Sequence, residues 1–193
     1  GAFGLYGPID REAAIVANEE LRAFLIGKDA LAGETLWDQM YRSNRPSRDG
    51  IFMMAISAVD NTLWDLRGRH YGVPVYRLLG GPSRDSIEVY ASCLGFSLEP
   101  DAVRKRCLQI QSEGYRYQKW FLAYGPGSGP EGMRKNVELV RILRETLGDD
   151  PELMFDSFSG WDFRYALEWA HPVERYPPRW MQEYTHLEKI ERL

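Results

Sequence analysis

The chain has 193 residues, 44% hydrophobic, 27% charged and 13% aromatic, a composition that fits a folded globular protein and excludes a disordered one. A formal net charge of −4 argues against nucleic acid as the partner, because phosphate binding needs a basic footprint. No apolar run approaches the roughly 20 residues of a membrane span, so no membrane partner is expected.

The chain opens on Gly1-Ala2-Phe3 rather than Met, and the natural N-terminus is expected to lie upstream. Cys93 and Cys107 are the only cysteines. They make no disulfide framework or zinc motif and read as reduced, buried thiols of a cytoplasmic protein.

In chain order, Asp10 to Leu25 predicts a helix, with Asp10 as its N-cap. Ala14, Ala17, Leu21, Phe24 and Leu25 fall at helical spacing, and Gly27 ends it. Gly33 to Tyr41 predicts a short helix with Leu36, Trp37 and Met40 on one face. Residues 44–50 read as a polar loop. Phe52, Ile56, Val59, Leu63 and Leu66 recur every three or four residues and predict the clearest helix, Phe52 to Arg67, closed by Gly68 or Gly72. A further short helix, Pro74 to Leu79, ends at Gly80-Gly81-Pro82.

The pattern then changes. Ile87, Val89 and Ala91 alternate as in a strand. Asp101 to Glu113 predicts a helix with Val103, Cys107, Leu108 and Ile110 inward, stopped by Gly114. There follow a strand at Gln118 to Ala123, a helix at Glu131 to Leu147, a short buried strand at Leu153 to Phe155 and a helix at Asp162 to Arg175. A strand at Arg179 to Glu183 comes next, then a helix from about Leu187. Trp64, Trp161 and Trp180 read as packing residues. From Gln118 the order is β-α-β-α-β-α, which predicts a parallel sheet with crossover helices, either doubly wound or a (β/α) barrel. Gly125-Pro126-Gly127-Ser128-Gly129 lacks the lysine of a phosphate-binding loop. Three strands cannot close a barrel, which takes eight in roughly 250 residues. The chain is therefore expected to be an incomplete portion, or to be completed by a partner.

In parallel α/β folds the functional groups gather at the C-terminal ends of the strands. Those ends carry Lys119 and Phe121, then Asp156, then Gln182 and Glu183. Hard oxygen ligands suit Mg²⁺, and a lysine beside a divalent cation gives up its proton more readily, which suits proton transfer. On the residues alone, Asp156 is equally a helix N-cap, Lys119 equally a surface or ion-pair lysine, and Glu183 equally a solvated acid. His186 is a pocket residue or a surface one.

The run Ala55-Ile56-Ser57-Ala58-Val59-Asp60-Asn61-Thr62-Leu63-Trp64-Asp65-Leu66-Arg67-Gly68 resembles the capping-domain helix of the mandelate racemase branch of the enolase superfamily. So does Gly72-Val73-Pro74-Val75-Tyr76-Arg77-Leu78-Leu79-Gly80-Gly81. Lys119-Trp120-Phe121, Tyr124-Gly125-Pro126, Met154-Phe155-Asp156-Ser157-Phe158 and Arg179-Trp180-Met181-Gln182-Glu183 are similar to the first barrel strands of the acid-sugar dehydratases, most of all the rhamnonate-dehydratase-like ones.

The resemblance implies an α+β capping domain over residues 1–85, its N-terminal hairpin missing, and about the first three βα units of a TIM-like barrel over residues 86–193. It implies a hydro-lyase: a Mg²⁺-dependent enzyme that removes the proton α to a sugar-acid carboxylate, stabilises an enediolate and expels the β-hydroxyl, giving a 2-keto-3-deoxy acid. The portion alone is expected to be inactive. Lys119 matches the first lysine of the strand motif Lys-x-Lys and is the implied catalytic residue. Asp156, Gln182 and Glu183 are the implied metal ligands, and Lys119, Phe121, Tyr124 and His186 the implied substrate-binding residues. A homo-oligomer is implied as well.

The chain departs from the motif at three places. Phe121 replaces the second lysine, Gln182 replaces the first acid of Trp-x-Glu-Glu, and Tyr184 replaces a proline. Glu183, on a regular strand, is expected to point away from Gln182. These departures leave a racemase or epimerase, or an inactive binding subunit, as the alternative.

Overall fold

The structure is a computed structural model that describes residues 1–185. His186 and the helix expected near Leu187 lie outside the described residues. The chain divides into two compact units, Gly1–Ser86 and the residues from Ile87 onward.

The first unit is helical. Helix α1 (Arg11–Val16) runs through a π-helical turn at Ala17–Leu21 into α2 (Arg22–Leu25). The expected helix is thus present but widened by an inserted residue in its middle. Asp10 sits in the extended cap conformation, but its side chain makes no capping bond; its carbonyl accepts from Ala14 N at 3.0 Å. Helix α3 spans Gly33–Ser43, and the expected loop after it holds a 3-10 turn at Arg45–Arg48. Helix α4 (Gly50–Tyr71) outruns its apolar periodicity at both ends. Gly72 closes it with φ 67°, a left-handed conformation that an L side chain adopts only under strain, and Val73 N returns to Gly68 O at 2.9 Å. A last short helix, α5, spans Val75–Leu78. Ala13, Leu21, Met40, Ala55 and Ile56 form the core of this unit. Trp64 is half-buried, with the Arg67 guanidinium 3.8 Å over its ring.

The second unit is a parallel four-stranded sheet in the order β1-β2-β3-β4: β1 Tyr90–Ser92, β2 Tyr117–Phe121, β3 Glu152–Asp156 and β4 Trp180–Gln182. Helices α6 (Pro100–Ser112), α7 (Gly129–Leu147) and α8 (Phe163–Val173) make the crossovers. Two expectations are corrected. The first strand is only three residues long, with Ile87 and Val89 exposed ahead of it. It also joins the same parallel sheet, so the strand bearing Lys119 is the second of four rather than the first of three.

Side chains alternate across a strand. Gln118 and Trp120 face the helices, where Trp120, Phe155, Val140, Leu143, Ile110 and Trp169 form the core. Gln118 is satisfied there, donating to Cys107 O at 3.0 Å and accepting from Trp120 Nε1 at 3.1 Å. Lys119 and Phe121 face the other way. Leu108, expected inward, is exposed, because the core stripe of α6 runs through Val103, Cys107 and Ile110. Trp180 is part-exposed yet packs edge-on against Tyr90, ring centroids 6.0 Å apart. Trp161 is buried, as a packing residue should be.

Both thiols are buried and free. Burial pushes the Cys93 thiol up to about 12 and raises that of Cys107, and burial also raises the Tyr165 hydroxyl. The fold thus favours the protonated forms. Their contribution is complete below the unfolded thiol value of 9.0 and is lost as pH rises through the raised values. The melting temperature should therefore fall as pH rises above that point, and less steeply in Cys93→Ala. Neither thiol should react with a disulfide reagent until denaturant is added. Truncating the core residue Leu143 to Ala should cost about 2–5 kcal/mol in urea unfolding.

Candidate active site

The sheet register aligns Lys119 with Met154 and Trp180, and Phe121 with Asp156 and Gln182. Lys119, Asp156 and Gln182 therefore share the sheet face opposite the helices, Asp156 and Gln182 at the C-terminal strand ends and Lys119 two residues before that level, its long side chain reaching to them. The Lys119 ammonium donates to Asp156 Oδ2 at 3.0 Å and to Gln182 Oε1 at 3.1 Å. Lys119 is only 5% exposed and Asp156 2%, so the ion pair is largely desolvated. Asp156 Oδ1 accepts from Phe158 N at 3.0 Å. Helix α8 is capped instead by Asp162, which accepts from Tyr165 N at 2.8 Å, and this removes the capping reading of Asp156.

Glu183 departs from expectation. The strand stops at Gln182, and Glu183 has φ 48°, which turns the chain so that its carboxylate approaches Gln182 Nε2 at 3.4 Å rather than pointing away. The turn is tied to the loop after β3. Ser157 N donates to Gln182 O at 3.3 Å, and the Ser157 hydroxyl to Glu183 O at 3.0 Å. Ser159 N also donates to Glu183 O, at 2.6 Å. Phe158 (φ 51°) and Ser159 (φ 56°) are both left-handed without being glycine, a local strain of the kind that collects at functional sites. Phe121 lies beside Phe158, ring centroids 6.1 Å apart, and forms an apolar wall where a second lysine would stand.

Tyr124 is held through its backbone. Its carbonyl accepts from Asn136 Nδ2 and from Trp161 Nε1, both at 2.8 Å, and the Lys135 ammonium lies 5.3 Å over its ring. Gly132 permits this approach of α7, since a Cβ there would meet Tyr124 Cβ at 2.9 Å. Tyr90 was not anticipated. Its ring centroid lies 5.6 Å from Lys119 Nζ, with the edge of Trp180 packed against it at 6.0 Å. The signal was present in the sequence: Tyr90 falls on the strand face opposite the apolar alternation of Val89 and Ala91.

The oxygen donors of Asp156, Gln182 and Glu183 are of the kind Mg²⁺ takes. Among the described residues, however, no three His, Cys, Asp or Glu side chains gather as a metal-binding group. The donor set fits a cation in kind, and two of its oxygens are held by Lys119.

A parallel βα sheet with a lysine and hard oxygen donors converging near its strand ends is the kind of framework on which α/β folds place their functional groups. The mandelate racemase/muconate lactonizing enzyme N-terminal domain model matches residues 1–80, and the enolase C-terminal domain-like model matches residues 102–193. The chain belongs to this branch of the enolase superfamily.

The L-rhamnonate dehydratase of Saccharopolyspora erythraea is 36% identical over 171 residues, covering 88% of this chain and 41% of that protein. The structure of rhamnonate dehydratase from Gibberella zeae complexed with Mg is similar at a TM-score of 0.78 and 30% identity, covering 93% of this chain and 42% of that one. A racemase from Streptomyces coelicolor with bound magnesium is similar at the same TM-score and identity, covering 90% and 47%. The chain spans about 40% of the length of the curated relatives it matches.

Because the ion pair is buried, Lys119→Met and Asp156→Asn should each destabilise by about 3–5 kcal/mol, since each leaves a buried group unpaired. The double variant should cost much less than the sum, read as coupling in a double-mutant cycle by urea unfolding.

Proposed function

We propose that this chain carries part of the active site of a Mg²⁺-dependent sugar-acid dehydratase. Three things support the reading: the strand-end cluster of Lys119, Asp156 and Gln182, membership of the superfamily, and similarity to rhamnonate dehydratases. The cluster is the single observation that carries it.

Asp156, Gln182 and Glu183 would hold the cation. When bound, Mg²⁺ supplies charge stabilisation to the substrate carboxylate as the adjacent C–H bond breaks. Lys119 places a positive donor beside that carboxylate. Phe121 can take no proton, so the base that removes the α-proton is another group. With Phe158, Phe121 instead gives the rim an apolar side. Loss of the β-hydroxyl as water, with the proton it needs supplied by a general acid, leaves a 2-keto-3-deoxy acid. Lys119 is the described residue placed to hold or move a proton at this rim.

A second reading is favoured by Phe121 and Gln182 together: a relative that exchanges the α-proton without losing water, as a racemase does, or that binds acids without turnover. Incubation of the full-length protein in D₂O with candidate sugar acids separates them. Keto-acid formation supports dehydration, deuterium uptake into unchanged substrate supports the alternative, and neither with Mg²⁺ present sinks both catalytic readings. For the dehydratase, Lys119→Met should lower kcat by about 10²-fold or more. Titration calorimetry should show Mg²⁺ bound, lost in Asp156→Asn, and bound about tenfold more tightly in Gln182→Glu, since affinity follows ligand charge.

A further inference from the structure

The reading above leaves Lys119 sitting on two of the oxygens assigned to a cation. A divalent ion and an ammonium cannot share Asp156 Oδ2 and Gln182 Oε1 in a buried site, because like charges repel strongly once water is excluded. One must leave, and the lysine has a flexible four-carbon stem. We propose that Tyr90 is a further residue of this site, its ring serving as the second seat of the Lys119 ammonium, which moves onto it when a divalent cation enters.

Ser92 pairs with Lys119, so Tyr90, two residues earlier, projects from the same sheet face. Lys119 Nζ already lies 5.6 Å from its ring centroid, inside the roughly 6 Å reach of a cation–π contact. Trp180, set edge-on at 6.0 Å, fixes the ring. Lys119 is then an internal competitor of the metal, and Tyr90 sets how easily it yields.

The inference rests on the reading of Asp156 and Gln182 as cation ligands, and Mg²⁺ titration by calorimetry tests the two apart. Lys119→Met should bind Mg²⁺ about tenfold or more tightly than the unaltered protein. Tyr90→Leu should bind it several-fold more weakly, and Tyr90→Phe, which keeps the ring face, should bind as the unaltered protein does. In the Lys119→Met background Tyr90→Leu should change nothing. A Tyr90→Leu loss that persists there would show a merely structural role and overturn the proposal. So would Lys119→Met binding no more tightly than the unaltered protein, a result that leaves the cation reading standing. Absence of Mg²⁺ binding in the unaltered protein, Lys119→Met and Gln182→Glu alike would remove the cation reading itself.

Should circular dichroism show that Lys119→Met does not fold, labelling of the unaltered protein decides. Acetylation of Lys119 by an N-hydroxysuccinimide ester, followed by mass spectrometry, should be about tenfold faster in saturating Mg²⁺. An unchanged rate would overturn the proposal.

Discussion

Everything at the candidate site depends on the parallel register that carries Lys119 on β2, Asp156 on β3 and Gln182 on β4 to one rim of the sheet. The ladder continues past the strands. Cys93 N reaches Lys119 O at 2.7 Å, Leu122 N reaches Asp156 O at 2.8 Å and Ser157 N reaches Gln182 O at 3.3 Å. The cluster is thus mounted on backbone that cannot slide. A one-residue slip would send Lys119 into the helix-facing core, where Gln118 and Trp120 now sit, and bring an apolar side chain to the rim. The packing of α6, α7 and α8 against Trp120 and Phe155 therefore sets the chemistry on the opposite face.

Stability does not explain the cluster. A buried ion pair gives up hydration that its attraction only partly returns, and apolar replacement of such pairs is often neutral or favourable. The helix-facing side of the same sheet shows the cheaper solution: aliphatic and aromatic packing around one amide, Gln118, with both ends satisfied. Lys119 and Asp156, by contrast, leave Gln182 and Glu183 as a partly polar margin, with three non-glycine residues in left-handed conformations holding the loops there. Charge retained at a cost, beside strained backbone, at the strand ends of a parallel sheet, is the pattern of a site rather than of a core.

The elements were legible where one physical signal dominated. The apolar stripe of α4, the stripe of α7 and the buried run of β3 announce themselves, and Lys119, Asp156 and Gln182 follow from knowing where strands end. What the sequence hid was decided by tertiary partners. Leu108 was expected on the inward stripe with Ile110, but the buried stripe of α6 runs through Val103, Cys107 and Ile110 and leaves Leu108 exposed. Asp156 was the candidate cap, but the cap of α8 is Asp162, which lies three residues ahead of Tyr165 and accepts from its N. Glu183, Phe158 and Ser159 carry no glycine to announce a left-handed turn, so the reversal that returns the Glu183 carboxylate to Gln182 has no local signature. The short β1 was weaker still, because Ile87 and Val89 alternate correctly yet lie outside the ladder.

The substitution at Gln182 takes on meaning once Lys119 is seen as a cation in its own right. A carboxylate there would hold the ammonium between two negative charges, but it would attract a dication about twice as strongly, since Coulomb energy scales with charge. Under the proposed competition, an amide there weakens the metal's side more than the lysine's. Of the buried side chains it leaves one positive charge, Lys119, against one negative charge, Asp156, with the exposed Glu183 carboxylate at the margin. Phe121 points the same way, because a second lysine there would add a further positive charge beside Lys119. On the proposed reading the two substitutions act in one direction: Gln182 lowers the negative charge offered to a metal, and Phe121 leaves Lys119 without a second cation beside it.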